Sequence, residues 1–157
     1  MQKITPFLWF DGQAEEAMNF YCSVFKEAKV LNTNHYGDNA PMPKGTVLTA
    51  TFELFGQRFT VLNGGPHFKF NPAVSFYVSC DSQEEVDHYW QRLTEDGGQE
   101  GPCGWLTDKY GLSWQIVPTI LTKLLQDKNG EKAGQVMQAL MKMGKLDIEG
   151  LQKAFDQ

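Results

Sequence analysis

The residues whose types and spacing best support chemistry lie in the stretch Cys103–Pro118. Ser113 and Gln115 are two positions apart, so in a β-strand they present a hydroxyl and an amide to the same side. Cys103 is a candidate nucleophile facing Ser113 or Gln115 across the predicted hairpin. A thiol becomes reactive when a cation or a helix N-terminus favours its thiolate, and Lys109 is the nearest candidate. The ordinary interpretation of Cys103 is a buried, inert thiol, and Cys22 and Cys80 also look buried.

The three histidines do not have the spacing of a metal site. His35 ends a predicted strand, His88 lies on the polar side of a predicted helix, and His67 stands beside Phe68 and Phe70 in a segment rich in Gly and Pro. No two of them share the i, i+4 helical spacing or the alternate-strand spacing that brings two imidazoles to one ion. His67 could overhang the mouth of a pocket.

The glycine pairs do not match a site for S-adenosylmethionine. Most enzymes that use it bind it at a glycine-rich turn leading from a strand into a helix. Gly97-Gly98 follows a predicted helix, and Gly64-Gly65 follows a strand but leads into Pro66. No Ser-His-Asp arrangement is apparent either. We therefore expect no cofactor.

Two segments with the same order of elements would position these residues. The first segment is predicted as strand, helix, strand and hairpin, over Lys3–Phe10, Ala14–Glu27, Lys29–Tyr36, and Thr46–Phe55 with Arg58–Asn63 about Gly56-Gln57. Pro66–Pro72 then resembles a linker. The pattern restarts with a strand, a turn that also supplies the N-cap, a helix and a hairpin, over Ala73–Cys80, Asp81-Ser82, Glu84–Glu95 and the turn Asp108–Gly111. This internal repeat predicts two similar modules, about 3–63 and 73–118, within a paired-module region 1–118.

The C-terminal part, 119–157, is predicted as a helical extension of the same domain. Its helices are expected at Thr119–Gln126, Glu131–Met143 and Asp147–Phe155, with Asp147 as the N-cap of the third. They carry more apolar surface than one helix-covered sheet readily hides, and exposed apolar patches favour association. Their large apolar side chains are Leu121, Leu124, Leu125, Val136, Leu140, Met141, Met143, Leu151 and Phe155. We therefore expect a homodimer, with a tail folded back on its own domain as the alternative.

The predicted hairpin also carries a family resemblance. The run Cys-Gly-Trp-Leu-x-Asp-x-x-Gly-x-Ser-Trp-Gln-Ile-Val-Pro at 103–118 is similar to the closing hairpin of the PhnB-like, "3-demethylubiquinone-9 3-methyltransferase" domain family. Ile4–Phe10 resembles the first strand of that family, and the run from Met137 to Ile148 resembles its helical tail. The family belongs to the glyoxalase, bleomycin-resistance and dioxygenase (vicinal oxygen chelate) superfamily. The resemblance implies an α+β fold in which two βαβββ modules form a curved half-barrel, and it implies dimers.

The metal ligands of that superfamily are not matched here. Its enzymes hold a divalent metal with His and Glu on inward-facing strand positions, which correspond to Ile4, Val74 and Gln115, within about one residue in register. Isoleucine and valine offer no lone pair, and a neutral amide is a poor ligand for a transition metal. We therefore expect no metal site and no metal-dependent glyoxalase or dioxygenase chemistry.

A small-molecule pocket is better supported than a reaction. Strand parity predicts four inward-facing side chains, Phe10, Phe76, Val78 and Cys80. Ser113 and Gln115 would add polar contacts, Trp105 would close one wall, and Cys103 is a further ligand-binding candidate. A concave, mostly aromatic sheet with a few convergent polar groups is typical of such sites, although the same aromatics could simply pack.

Composition excludes several classes of partner. The net charge is −5 and the 14 Lys and Arg residues are scattered, so a nucleic-acid partner is not expected. No apolar run approaches the ~18 residues of a membrane span, so no membrane partner is expected either. Three cysteines without CxxC spacing fit reduced thiols, which points to the cytoplasm.

Three functions remain open from the sequence. The first is a metal-free protein that holds a small apolar or aromatic ligand in the concave sheet. The second is an enzyme of the same superfamily, of lyase, dioxygenase or methyltransferase type, with an unplaced catalytic group. The third is a scaffold whose helical tail mediates association.

Overall fold

The computed structural model describes residues 2–157, so Met1, where the predicted module region begins, lies outside the described part. The chain divides into two compact units, one ending at Phe70 and the other beginning at Asn71. Each unit contains a four-stranded mixed sheet. Within residues 2–157, no helix is both long enough and apolar enough to span a bilayer.

The first unit follows the predicted βαβββ order. Its elements are β1 (Phe7–Phe10), α1 (Ala14–Val24), β2 (Ala28–His35), β3 (Val47–Leu54) and β4 (Gln57–Asn63). The sheet order is β1-β4-β3-β2, with β1 parallel to β4 and the other neighbours antiparallel. β1 is thus an edge strand, as the proline at position 6 predicts, although it starts at residue 7 rather than 3.

Helix α1 packs on one side of this sheet and closes the core of the first unit. The rings of Tyr21 and Phe52 stack with centroids 6.4 Å apart, and both side chains are buried. The buried side chain of Asn63 fixes where the helix begins, because its Oδ1 accepts from the backbone N–H of Ala14 at 2.9 Å. Its Nδ2 donates to the Val47 carbonyl at 2.9 Å. Both ends of this buried amide are therefore satisfied.

The turn between β3 and β4 lies one residue earlier than predicted. Leu54 pairs with Gln57, so the two-residue loop is Phe55-Gly56 rather than Gly56-Gln57. Both loop residues have positive φ, 50° and 78°. That conformation matches the twist of a hairpin but is unusual for phenylalanine, so the residue type gave no signal for it.

The second unit repeats the same order. Its elements are β5 (Ser75–Cys80), α2 (Gln83–Thr94), β6 (Gln99–Glu100), β7 (Trp105–Thr107) and β8 (Ser113–Pro118). The sheet order is β5-β8-β7-β6, again with the first strand of the unit parallel to its last. The internal repeat and the α+β class are confirmed. The predicted N-cap is also confirmed, since the Ser82 hydroxyl accepts from the Glu85 N–H at 3.2 Å.

The hairpin β7–β8 is held by the side chain of Asp108. Its carboxylate is buried, with Oδ1 accepting from the backbone N–H groups of Tyr110 and Leu112 at 2.9 and 3.1 Å. Its Oδ2 accepts from the indole N–H of Trp114 at 2.9 Å. Gly111 adopts φ +87°, as the turn requires. The Asp-x-x-Gly-x-x-Trp spacing is thus a structural device that fixes the loop and the start of β8.

The tail forms its own small core against the end of the second unit. Its helices are α3 (Thr119–Leu125), α4 (Gly130–Leu140) and α5 (Ile148–Asp156). They bury a cluster that consists of Val117, Leu121, Leu124, Val136, Leu140, Leu146 and Leu151. The tail therefore hides most of its own apolar surface, as in the folded-back alternative. The reason drawn from the tail for a dimer was wrong, although Met141 remains 66% exposed.

Side chains from α2 and the tail secure this arrangement. The Gln83 amide donates to the Leu146 carbonyl at 3.0 Å and accepts from the Ile148 N–H at 2.8 Å. Lys145 Nζ lies 2.8 Å from Asp87 Oδ1. The lysine hydrogen bond is the main cause that lowers the pKa of Asp87, followed by the bond from Gln83. Asp87 is half exposed, so this pair is a surface contact rather than a buried one.

Candidate functional site

The register of the second sheet places four polar side chains in one row on the side away from α2, which we call the far face. Gln99 pairs with Thr107, Thr107 with Ser113, and Ser113 with Ser75. Residues opposite one another in a sheet point to the same side, with Cβ atoms about 5 Å apart. An amide and three hydroxyl groups therefore run across all four strands.

A second row on the far face is aromatic at both ends. Trp105 pairs with Gln115, and Gln115 with Tyr77. The Gln115 Nε2 donates to the Ser75 Oγ at 3.0 Å, which ties this row to the polar one. Trp105 is half-buried and Tyr77 is 52% exposed.

A cavity of about 410 Å³ lies against these rows, formed entirely by the second unit. Its apolar wall consists of Pro72, Pro102 and Trp105, while Leu106, whose side chain points to the α2 side, borders it through its backbone. Three members of the polar row, Gln99, Thr107 and Ser113, also line it. Small-molecule sites generally occupy 300–1,000 Å³ and combine an apolar lining with a few polar groups. The cavity meets both criteria.

The loop between β6 and β7 shapes the wall of this cavity. The Gly101 N–H donates to the Trp105 carbonyl at 2.8 Å, and the Trp105 N–H donates to the Pro102 carbonyl at 3.0 Å. A Cβ at Gly101 would lie 2.9 Å from that Trp105 carbonyl, so only glycine fits this approach. The tight loop holds Trp105 on the far face beside Ser113.

Three predicted pocket residues lie on the opposite side of the second sheet. Phe76, Val78 and Cys80 pair with Trp114, Ile116 and Pro118, which share the face covered by α2. The rings of Phe76 and Trp114 lie 5.6 Å apart. The predicted alternation of β5 was therefore shifted by one residue. Its side chains on the far face are those of residues 75, 77 and 79.

Cys80 and Phe10 are core residues. Cys80 is fully buried, and burial, followed by the charges of Glu85 and Asp81, raises its pKa to about 12. Phe10 lies in the first unit on the side covered by α1, is 3% exposed, and meets the ring of Phe70 at 5.3 Å. Neither residue lies on the far face, and their prediction as pocket residues was wrong.

Cys103 faces the tail rather than the far face. It is half-buried, packs against the tail core, and its N–H donates to the Met143 carbonyl at 2.8 Å. Its φ of 58° arises in the loop that turns into β7. Cys22 is likewise half-buried rather than buried, and burial raises its pKa. The structure gives Cys103 no place among the polar rows.

Of the predicted site residues, Trp105, Ser113 and Gln115 share the far face. Trp105 and Ser113 line the cavity, and Gln115 lies in the neighbouring row. Sequence reasoning missed Gln99, Thr107 and the two prolines of the apolar wall, Pro72 and Pro102. The alternation of β7, Trp-Leu-Thr, was the available signal for Thr107, because it places positions 105 and 107 on the same side.

The residues at the metal positions of the superfamily do not fit a metal. Ile4 and Val74 precede their strands and are 87% and 66% exposed. The observed register brings Ser75, rather than Val74, next to Gln115, but a neutral hydroxyl and a neutral amide remain weak ligands. Across residues 2–157, no three His, Cys, Asp or Glu side chains cluster as a metal site would need. The three histidines are all exposed.

The glycine pairs occur as turns and caps. Gly64-Gly65 follows β4 and leads into an irregular segment, and Gly97-Gly98 follows α2. A glycine turn does join β1 to α1 at Gly12, φ +79°, but the Ala14 N–H at that helix start is already bonded to Asn63. The first N–H of α1 is therefore not available to a cofactor phosphate or carboxylate, and neither glycine pair leads from a strand into a helix.

Two βαβββ units define a protein of the glyoxalase/bleomycin-resistance fold. The fold is shared with PA1353 from Pseudomonas aeruginosa, at 21% identity and a TM-score of 0.60 over 74% of this chain and 96% of that one. It is also shared with the fosfomycin resistance protein FosX from Listeria monocytogenes, at 14% identity and a TM-score of 0.51 over 73% and 89% of the two chains. At these identities the likeness concerns the fold alone.

More specifically, the chain belongs to the family described as 3-demethylubiquinone-9 3-methyltransferase, whose sequence model matches residues 2–117. A PhnB protein from Bacillus cereus, provisionally described by the same activity, is 42% identical, with a TM-score of 0.68. That match covers 75% of this chain and 100% of the other. No curated protein matches the chain. The family model ends before α3, so the resemblance of the tail to the family stays a prediction.

Proposed function

We propose that this protein binds a small apolar or aromatic molecule, without a metal, in the far-face cavity of its second unit. The observation that carries the proposal is the cavity itself, with its apolar wall beside an ordered row of hydroxyl and amide groups. A flat ring would pack against Trp105, and the polar row would orient its substituents.

Methyl transfer is not part of the proposal. The family carries that description, but the far-face strand positions hold no carboxylate or imidazole that could act as general base toward a substrate hydroxyl. No helix N-terminus able to receive S-adenosylmethionine lies there either. Metal-dependent chemistry is not proposed either, because the Ser75 hydroxyl and the Gln115 amide are neutral and therefore weak metal ligands.

The test is calorimetric titration of 1-naphthol into three variants, Trp105→Ala, Trp105→Phe and Phe68→Ala. Removing the ring of Trp105 takes away a large part of the apolar wall, so we expect at least a tenfold loss of affinity, about 1.4 kcal/mol. Trp105→Phe should retain most of the affinity. Phe68 is an aromatic of the first unit, 66% exposed and outside the cavity, so its variant should match the wild type.

Two results would count against this function. One is the absence of saturable binding of any flat aromatic probe to the wild-type protein. The other is wild-type affinity in Trp105→Ala, because the ring would then bind elsewhere on the chain.

The proposal includes a homodimer located in the cytoplasm. The dimer is proposed because the resembled superfamily commonly forms dimers, and no longer because of the tail. The cytoplasmic location is supported by the three free thiols, which fit a reducing compartment. Light scattering across the micromolar range would decide the oligomeric state, and a mass of ~18 kDa would contradict the dimer.

A further inference from the structure

The most unusual polar atom of the cavity is the hydroxyl of Ser113. The residue is 1% exposed, and its Oγ finds no hydrogen-bond partner anywhere in residues 2–157. A buried hydroxyl without a partner is costly, and such groups in native proteins require an explanation. The other serine of this row, Ser75, accepts a hydrogen bond from Gln115, so the row itself does not prevent pairing.

The cavity also lacks a charged side chain that points into it. Glu100 lines it, but its carboxylate accepts from the indole N–H of Trp90 on α2, at 2.5 Å. In the sheet, Glu100 pairs with Leu106, whose register places both on the α2 side. Glu100 therefore borders the cavity mainly through its backbone. The side chains of the polar row are all neutral.

We propose that Ser113 is the specificity-determining residue of the cavity and selects a neutral ligand that carries a hydroxyl or carbonyl group on a flat apolar body. This inference rests on the proposed function. A serine hydroxyl offers one donor and two acceptor positions, so it serves either substituent. An anionic group would find no cation among the lining residues, and a cationic group would find no carboxylate directed at it.

The test compares four probes with one ring system and different substituents. They are 1-naphthol, naphthalene, 1-naphthoate and 1-naphthylmethylammonium, each titrated into wild type, Ser113→Ala and Ser79→Ala. Ser79 is the matched control, because it is an exposed serine on the far face of β5 outside the cavity. We expect wild type and Ser79→Ala to bind 1-naphthol about tenfold more tightly than naphthalene, the usual worth of one ligand hydrogen bond.

In Ser113→Ala that preference should disappear, with the affinity for naphthalene unchanged or improved. The two charged probes should bind most weakly to all three proteins. Should Ser113→Ala fail to fold, Ser113→Cys replaces it, and the weaker donor should reduce the preference.

The outcomes separate this inference from the proposed function. Equal binding of 1-naphthol and naphthalene to wild type, an undiminished preference in Ser113→Ala or Ser113→Cys, or tightest binding of a charged probe would overturn the role of Ser113 while leaving a ligand-binding cavity in place. Failure of every probe to bind wild type would overturn both.

Discussion

Replacing Ser113 by alanine should stabilise the unliganded protein, which is the reverse of the usual effect of a core substitution. The Oγ of Ser113 is buried and has no partner within the described residues. Losing it removes a desolvation cost of about 1–3 kcal/mol, while the cavity gains only one atom of space. For a chain of this length, 1 kcal/mol corresponds to roughly 2–4 °C in melting temperature. We therefore expect Tm to rise by a few degrees.

The assay is thermal unfolding followed by circular dichroism, with Ser82→Ala as the matched control. Ser82 is the N-cap of α2, and its hydroxyl accepts from the Glu85 N–H. Its loss should destabilise by about 1 kcal/mol, so the two Ser→Ala changes are predicted to have opposite signs. A drop in Tm for Ser113→Ala as large as that for Ser82→Ala would refute the reasoning, because it would show that the Ser113 hydroxyl is already paired in the free protein.

Two further predictions concern the elements that position the cavity. Asp108→Ala should lower the free energy of unfolding by about 3 kcal/mol in urea denaturation, since a buried carboxylate that accepts three hydrogen bonds is lost; a loss below ~1 kcal/mol would show that the turn holds without it. Lys145→Met should destabilise slightly at pH 7, because Lys145 lowers the pKa of Asp87 in the folded state. That contribution is present above the unfolded-state pKa of about 3.9 and is lost as pH falls through the lower folded-state pKa, so the two proteins should converge in strong acid. A difference in stability that grows as pH falls would contradict this.

The fold was largely predictable from local signals in the sequence. Gly111 and Pro118 bracket the last strand, and Ser82 and Asp147 were expected as N-caps, which both are. These signals act over three or four residues, so they do not depend on distant parts of the chain. The repeat of strand, helix and hairpin then followed from their order.

The sequence predicted some of the side chains that face the cavity but placed those of β5 on the wrong side of the sheet. β5 carries apolar or aromatic residues on both faces, with Phe76 and Val78 on one and Tyr77 on the other. Hydrophobic alternation therefore did not distinguish the two parities, and only pairing with β8 does. A shift of one residue exchanges every side chain between the faces, which is why the prediction for this strand failed as a block.

The tail shows a similar limit. The amphipathic pattern of its helices predicts that their apolar faces, which include Leu140 and Leu151, are buried. The pattern does not identify the element against which each face packs. In the structure these faces cover one another and Val117. Contacts between three short helices depend on their relative packing, for which the sequence of each helix carries no direct signal.

The measurement that tests the central claim most directly is the location of the ligand on the chain. A ¹H–¹⁵N spectrum of labelled protein titrated with 1-naphthol should show its largest shifts at the indole N–H of Trp105, at the backbone amides of residues 99–107 other than Pro102, and at the amide of Ser113. Shifts confined to the aromatic residues Trp9 and Phe68 of the first unit, or to the helices after Pro118, would contradict the far-face cavity as the binding site.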